Sequence, residues 1–172
     1  GPRALGHRSI LADARSERAQ DRVNRLVKER APFRPFAPAV LADRATEGFD
    51  EPGESPFMTF TAPVTAARRR AVEPLPDISD RVAQVRSEIP SVTHVDHSAR
   101  YQTVDPERNP DFHRLIAAFE RVTGCPVLLN TSFNARDEPI VCTPSDALRT
   151  FRRTGLDLLV LEDCLIERGA GT

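Results

Sequence analysis

The stretch at 125–134, "CPVLLNTSFN", decides how this chain is put together. Its first half is a short apolar run. Its second half offers Asn130, Thr131, Ser132 and Asn134. Such a run reads as a buried strand that delivers a polar loop at its C-terminal end, where ligands of α/β folds commonly bind. The same residues also suit a turn in which Asn and Ser satisfy their own backbone.

The elements around it alternate. Just upstream, "NPDFHRLIAAFERVTG" (109–124) is the clearest helix of the chain. Asn109 suits the cap, Pro110 the first helical position and Gly124 the C-terminal cap, with Phe112, Leu115, Ile116, Phe119 and Val122 as its apolar face. Just downstream, "TPSDALRTFRRTG" (143–155) reads as a helix capped by Thr143 with Asp146 in its first turn, and 156–168 reads as a final strand. Nearer the start, a turn-rich loop runs into a short strand, "SILAD" (9–13), then a helix over 15–30 with Ser16 as cap. Pro32 ends that helix. The proline-rich segment 31–43 is extended, 43–56 has the composition of an exposed loop, and "FMTFTAPV" (57–64) alternates like a strand. Residues 65–91 read as a flexible insertion, with a short helix at 80–89. "VTHVDHSARYQTV" (92–104) reads as one strand, or two with a kink. The class is therefore α/β or α+β with a mixed sheet.

Composition narrows the function. At 172 residues the chain fits one domain with a real core. Lys and Arg number 24 against 25 Asp and Glu, a net charge of −1, so the basic excess of a general nucleic-acid or membrane-surface binder is missing. Lys28 is the only lysine among many arginines, a ratio that fits a high-GC codon bias but leaves open why one lysine remains. Cys125, Cys142 and Cys164 are far apart and odd in number, which suits neither a disulfide framework nor zinc and favours a cytosolic setting. No apolar run approaches a membrane span, and there is no signal peptide. The opening Gly1-Pro2, without methionine, reads as a fragment of a longer protein.

The residues that could carry chemistry are cations and small amides. Lys28 and Arg30 close a helix, where the dipole favours them on structural grounds alone. Arg34 sits between Pro32 and Pro35, and a guanidinium on a stiffened backbone suits bidentate contact with phosphate or carboxylate oxygens. In 94–102, His94, Asp96, Ser98, Arg100 and Gln102 fall on alternate positions. On a strand they would share one polar face, either solvated or lining a site. The spacing of His94, Asp96 and His97 is a weak metal signal. No phosphate-binding glycine loop, nucleophile elbow or His-Glu-x-x-His pair is present. Such a set suits electrostatic handling of anions better than covalent catalysis.

Four stretches, in order, resemble one family: "GPRALGHRSIL" (1–11), "VKERAPFRPFAPAV" (27–40), "THVDHSARYQTV" (93–104) and "PVLLNTSFNARDEPIVCTPSDAL" (126–148). They are similar to the C-terminal domain of the O-carbamoyltransferases, the nodulation and antibiotic carbamoylation enzymes. The resemblance is poor over 65–91. It implies a single YrdC-like domain, a twisted mixed sheet flanked by helices, that takes carbamoyl phosphate and ATP with Mg²⁺ and makes carbamoyl adenylate. It also implies a separate Kae1-like N-terminal domain, expected to be absent from this chain, which holds a metal and passes the carbamoyl group to a hydroxyl of a small molecule. The pocket residues it implies are Arg3, Lys28, Arg34, Arg100, Asn130 and Ser132, with Lys28, Arg34 and Arg100 in catalysis. No tightly bound metal is expected in this domain, and the setting is cytoplasmic. The family usually has glycine at the positions of His97 and Asp137; if either needs a positive φ, a side chain there costs about 1 kcal/mol or more. A non-catalytic module that only binds nucleotide or anion is the alternative. RNA binding is disfavoured by the near-neutral charge and sparse surface aromatics.

Overall fold

The computed structural model describes residues 4–28 and 34–169. Arg3, Arg30 and Pro32 lie outside the described residues. In chain order the elements are β1 (Ser9–Asp13), α1 (Ala19–Val23) continued by a π turn (Asn24–Lys28), β2 (Ala37–Leu41), α2 (Ala45–Gly48), β3 (Thr61–Pro63), α3 (Ile78–Ala83), β4 (Ser98–Arg100), β5 (Gln102–Val104), α4 (Pro110–Thr123), β6 (Val127–Ser132), α5 (Pro144–Arg153), β7 (Leu158–Leu161) and β8 (Cys164–Glu167).

The central sheet runs β1-β6-β2-β5. β6 pairs antiparallel with both β1 and β2, and β2 pairs parallel with β5, so the sheet is mixed and the fold is α/β. The apolar run of 127–129 is continuous because both faces of β6 are buried. Alternate residues of a strand point to opposite faces. Val127 and Leu129 join a large core with Ile10, Val40, Phe36 and Phe151, while Leu128 joins a second core with Ala39, Leu41, Val104, Phe112 and Ile116. α4 covers that second face through Phe112 and Ile116. Pro38 is tolerated inside the sheet because pairing with β5 begins only at Ala39, so on that side no ladder bond needs its missing N–H.

Several expectations change. The helix expected over 15–30 begins only at Ala19; Arg18 is its N-cap, without a side-chain bond, and Ser16 contributes its backbone carbonyl to Ala19 N instead. The stretch 43–56 is not simply an exposed loop. It holds α2, and Phe49 and Ser55 are buried. The strand expected over 57–64 shrinks to β3. α4 does bury Phe112 and Ile116, but Leu115 and Val122 face outward. Asn109 stands at its N-cap as expected and its carbonyl accepts from His113 N, but its side chain makes no capping bond; the amide donates to Leu5 O at 2.9 Å instead. The final segment is a hairpin rather than one strand, because Glu162 turns the chain at φ 51° between β7 and β8. Thr143 and Asp146 form the expected reciprocal cap of α5.

The alternating face of 94–102 is also divided. His97 takes φ 64°, which turns the chain before β4 starts, and Tyr101 separates β4 from β5. Tyr101 is an anchor. Its ring stacks on Phe49 at 5.3 Å and its hydroxyl donates to Gly53 O at 2.9 Å, while its carbonyl accepts from Ser55 Oγ. β4 consequently pairs with β3, and β5 joins the central sheet.

Residues 65–91 are tied back to the body. Arg68 Nε donates to Glu47 O at 2.7 Å, Arg69 pairs with Asp50 at 3.0 Å, Ser91 N donates to Ala14 O at 3.4 Å, and Ser87 and Ile89 are buried. The helix within this segment is α3, two residues earlier than the spacing suggests, because Asp77 caps it by accepting from Ser79 N at 2.6 Å.

Glycine and its replacements give a test of backbone strain. Gly6 has φ 111°, and a Cβ there would meet Phe112 Cδ1 at 2.4 Å. Gly6→Ala should therefore destabilise by about 2 kcal/mol or more, since overpacking and an unfavourable φ add. Asp137, exposed and at φ 60°, should gain from Asp137→Gly, with a melting midpoint raised by about 2–4 °C. Thermal melts of both variants against the parent chain check the two signs.

Candidate functional site

Lys28 ends the π turn, and widened turns of this kind often mark functional positions. Its ammonium is held by the loop that β6 delivers. Nζ donates to Ser132 O (2.7 Å), Ser132 Oγ (3.0 Å), Asn134 O (2.9 Å) and Asn134 Oδ1 (2.7 Å). Four oxygens thus surround three N–H donors. Asn134 is itself fixed, because its Nδ2 donates to Glu138 O at 2.8 Å and its Oδ1 accepts from Ser132 Oγ at 2.6 Å. The lysine that seemed a helix-end cation is the tie between α1 and the loop after β6. A compact ammonium with rotatable donors fits such a cage; a planar guanidinium does not.

Asn130 lies on the same face of β6 as Leu128, fully buried. Its Nδ2 donates to Gln102 Oε1 at 2.9 Å, and Gln102 Nε2 donates to Leu5 O at 3.1 Å. The amides of two strands on either side of β2 so clamp the loop that precedes β1. Asn130 Oδ1 has no hydrogen-bond partner among the described residues. An unmet buried acceptor of this kind costs about 1–3 kcal/mol.

Arg34 and Arg100, 66 positions apart in sequence, line one cavity of about 530 Å³ together with Pro35, Ile78, Val82, His94 and Val95. Arg100 also donates to Met58 O at 3.1 Å, which aims its guanidinium along the β3–β4 ribbon. His94 reaches the cavity from the turn before β4. Burial holds its imidazole below the usual pKa, opposed by Asp96 and assisted by Arg100. Asp96 is not free to join: its Oδ1 accepts from Ser98 N (2.9 Å) and Ser98 Oγ (2.7 Å), which lowers its pKa. Among the described residues no group of three His, Cys, Asp or Glu could hold a metal ion.

The residues singled out in the sequence therefore fall into three groups. Arg34 and Arg100 share the cavity. Lys28 and Ser132 share the oxygen cage, and Asn130 sits in the buried amide pair with Gln102. Arg3 lies outside the described residues. The sequence reading did not single out Asn134 as an organising side chain or Ile78 and Val82 as cavity wall. The i, i+4 spacing of Ile78 and Val82 was the available signal.

The family model for the carbamoyltransferase C-terminus matches residues 1–168. The chain belongs to that family. An uncharacterized protein of Synechocystis is 47% identical over 99% of this chain, which spans 28% of that relative's length. Nodulation protein NolNO of Sinorhizobium fredii is 45% identical over 98% of the chain and 23% of its own length. The 3'-hydroxymethylcephem-O-carbamoyltransferase of Streptomyces clavuligerus is 37% identical over 100% of the chain and 29% of its own length. The chain thus spans about a quarter of the length of these relatives. Among its described residues no helix is long and apolar enough to cross a membrane.

Two outcomes follow from this carbamoyltransferase domain's geometry. Lys28→Arg should lower stability by about 1–3 kcal/mol, the worth of hydrogen bonds to a charged group, because the cage has no room for a planar fork. That exceeds the roughly 0.3–1 kcal/mol of a plain helix-end cation, and chemical denaturation distinguishes them. His94 sets a pH dependence. Its folded pKa is depressed, so below about 6.5 the unfolded chain takes up the proton first. Stability present above that value should fall as pH drops through the folded pKa. Denaturant midpoints at pH 7.5 and 5.5 should differ less in His94→Gln than in the parent.

Proposed function

We propose that this domain binds carbamoyl phosphate and ATP and forms carbamoyl adenylate, as the C-terminal part of an O-carbamoyltransferase acting on a hydroxyl of a small molecule. The observation that carries the reading is the meeting of Arg34 and Arg100, from distant parts of the chain, at one cavity. Two guanidiniums on one wall offset the mutual repulsion of polyphosphate and acyl phosphate charges, which would otherwise oppose binding. Membership of the carbamoyltransferase family supports it.

The chemistry asks mainly for positioning and charge neutralisation. Water adds across the mixed anhydride of carbamoyl phosphate, breaking the bond between the carbamoyl and phosphoryl groups, and gives carbamate, inorganic phosphate and a proton. An oxygen of the resulting carbamate attacks the α-phosphorus of ATP, the bond to the bridging oxygen breaks, and pyrophosphate leaves. Magnesium enters with the nucleotide as part of the substrate. Arg34 and Arg100 hold the phosphates; the family resemblance adds Arg3 to the substrate-binding residues, and it lies outside the described residues. The family resemblance adds Asn130, which does not line the Arg34–Arg100 cavity; its unmet Oδ1 is the acceptor it offers a carbamoyl NH₂ group. Lys28 holds Ser132 in place and adds positive charge; its donors are already engaged, so its part is positional and electrostatic. Transfer to the acceptor belongs to a separate Kae1-like domain of the longer protein. The setting is the cytoplasm, where both substrates occur and cysteines stay reduced, as the unpaired Cys125, Cys142 and Cys164 suit.

The test is pyrophosphate release from ATP, magnesium and carbamoyl phosphate. Release should depend on carbamoyl phosphate, and Arg100→Ala should slow it by on the order of a hundredfold. Binding of both ligands without turnover would support the alternative, a module that binds nucleotide and does no chemistry.

A further inference from the structure

Resting on the reading that this domain binds ATP, we propose that α3 is the base-recognition wall of the cavity: Ile78 and Val82 receive the purine ring of a nucleotide whose phosphates face Arg34 and Arg100. The cavity lining is of two unlike kinds. Arg34 and Arg100 are cations, whereas Ile78 and Val82, one helical turn apart on α3, are apolar, as are Val95 and Pro35. Ile78 is 57% exposed and Val95 37% exposed, so large apolar side chains lie uncovered at a lined cavity. An occupant that satisfies both kinds carries several negative charges and a flat apolar body. Of the two substrates, only ATP has such a body. Carbamoyl phosphate has no apolar surface and would leave this wall bare. The volume, about 530 Å³, lies within the range of small-molecule sites.

α3 is built to stand as a wall, although it has only six residues. Asp77 caps its N-terminus. At its other end the buried Arg86 donates through one guanidinium nitrogen to the carbonyls of Arg81, Val82 and Gln84. Burial lowers the pKa of Arg86, so the three carbonyls are also what its desolvated charge is offered. Gln84 Nε2 adds a bond to Glu73 O at 3.0 Å. An exposed spacer would not require a buried arginine to staple its last turn. The segment on which family resemblance is poorest thereby acquires a role in substrate choice.

The experiment compares two ligands by calorimetry: ATP and inorganic tripolyphosphate, each with magnesium. The native chain should bind ATP the more tightly. The double variant Ile78→Ser, Val82→Ser should weaken ATP about tenfold and leave tripolyphosphate unchanged, since only the nucleotide has a base to lose contact with. Arg100→Ala should weaken both. ATP affinity unaltered in the double variant overturns the inference, and so does equal weakening of both ligands. If the double variant melts early, Ile78→Ser alone, at an already exposed position, carries the same comparison. A native chain that binds neither ligand is a different result, which removes the ATP reading itself.

Discussion

Burial of β6 on both faces is the constraint on which this domain depends. The strand lies between β1 and β2, so Leu128, Leu129 and Asn130 have a register partner on both sides, and its side chains feed two cores at once. A strand in that position can carry polar residues only where the cores end. Asn130 is the first, and the sheet meets it with Gln102 from β5's edge of the same face. Ser132 and Asn134 follow, and there the single lysine of the chain enters. The polar chemistry of the domain is placed by the point at which the dry interior runs out.

Two polar centres result, and they differ in kind. The Lys28 cage is closed on itself: four oxygens, one ammonium, and further bonds that fix Asn134. The Arg34–Arg100 cavity is open, with two cations and a desolvated imidazole set against an apolar wall. A closed cage suits holding a loop in register. An open cavity lined by both charged and apolar residues suits a ligand that has both. Tyr101 keeps this cavity apart from the buried Asn130–Gln102 amide pair. By stacking on Phe49 it sends Arg100 to the β3–β4 ribbon and Gln102 to the central sheet, although only one residue separates them.

Backbone strain follows the same division. His97 and Asp137 both take positive φ, at 64° and 60°, one just before the strand that carries Arg100 and one just after the loop that holds Lys28. These are the two positions at which the resemblance leads to an expectation of glycine. The fold keeps the conformation and tolerates the side chains, which indicates that the surrounding contacts fix the turns more strongly than local preference does.

The sequence by itself determined the elements whose signals are local. The helix at 110–123 with its Pro110 and Gly124 ends, the Thr143–Asp146 cap and the apolar run of β6 were legible because each depends on residues within a few positions of one another. The amides and cations of the site were legible as residue types. Their grouping was not. Alternation in 94–102 suggested one polar face, but φ at His97 and the Tyr101 anchor divided it, and neither leaves a mark at strand spacing. Leu115 and Val122 fit a helical stripe and still face outward, because how wide a stripe is covered depends on what packs against it. Lys28 looked like a helix-end charge; that its partners are Ser132 and Asn134, more than a hundred positions away, was settled only when β6 set that loop beside α1. Contacts of that separation are chosen by the packing of the whole sheet, and no local spacing encodes them.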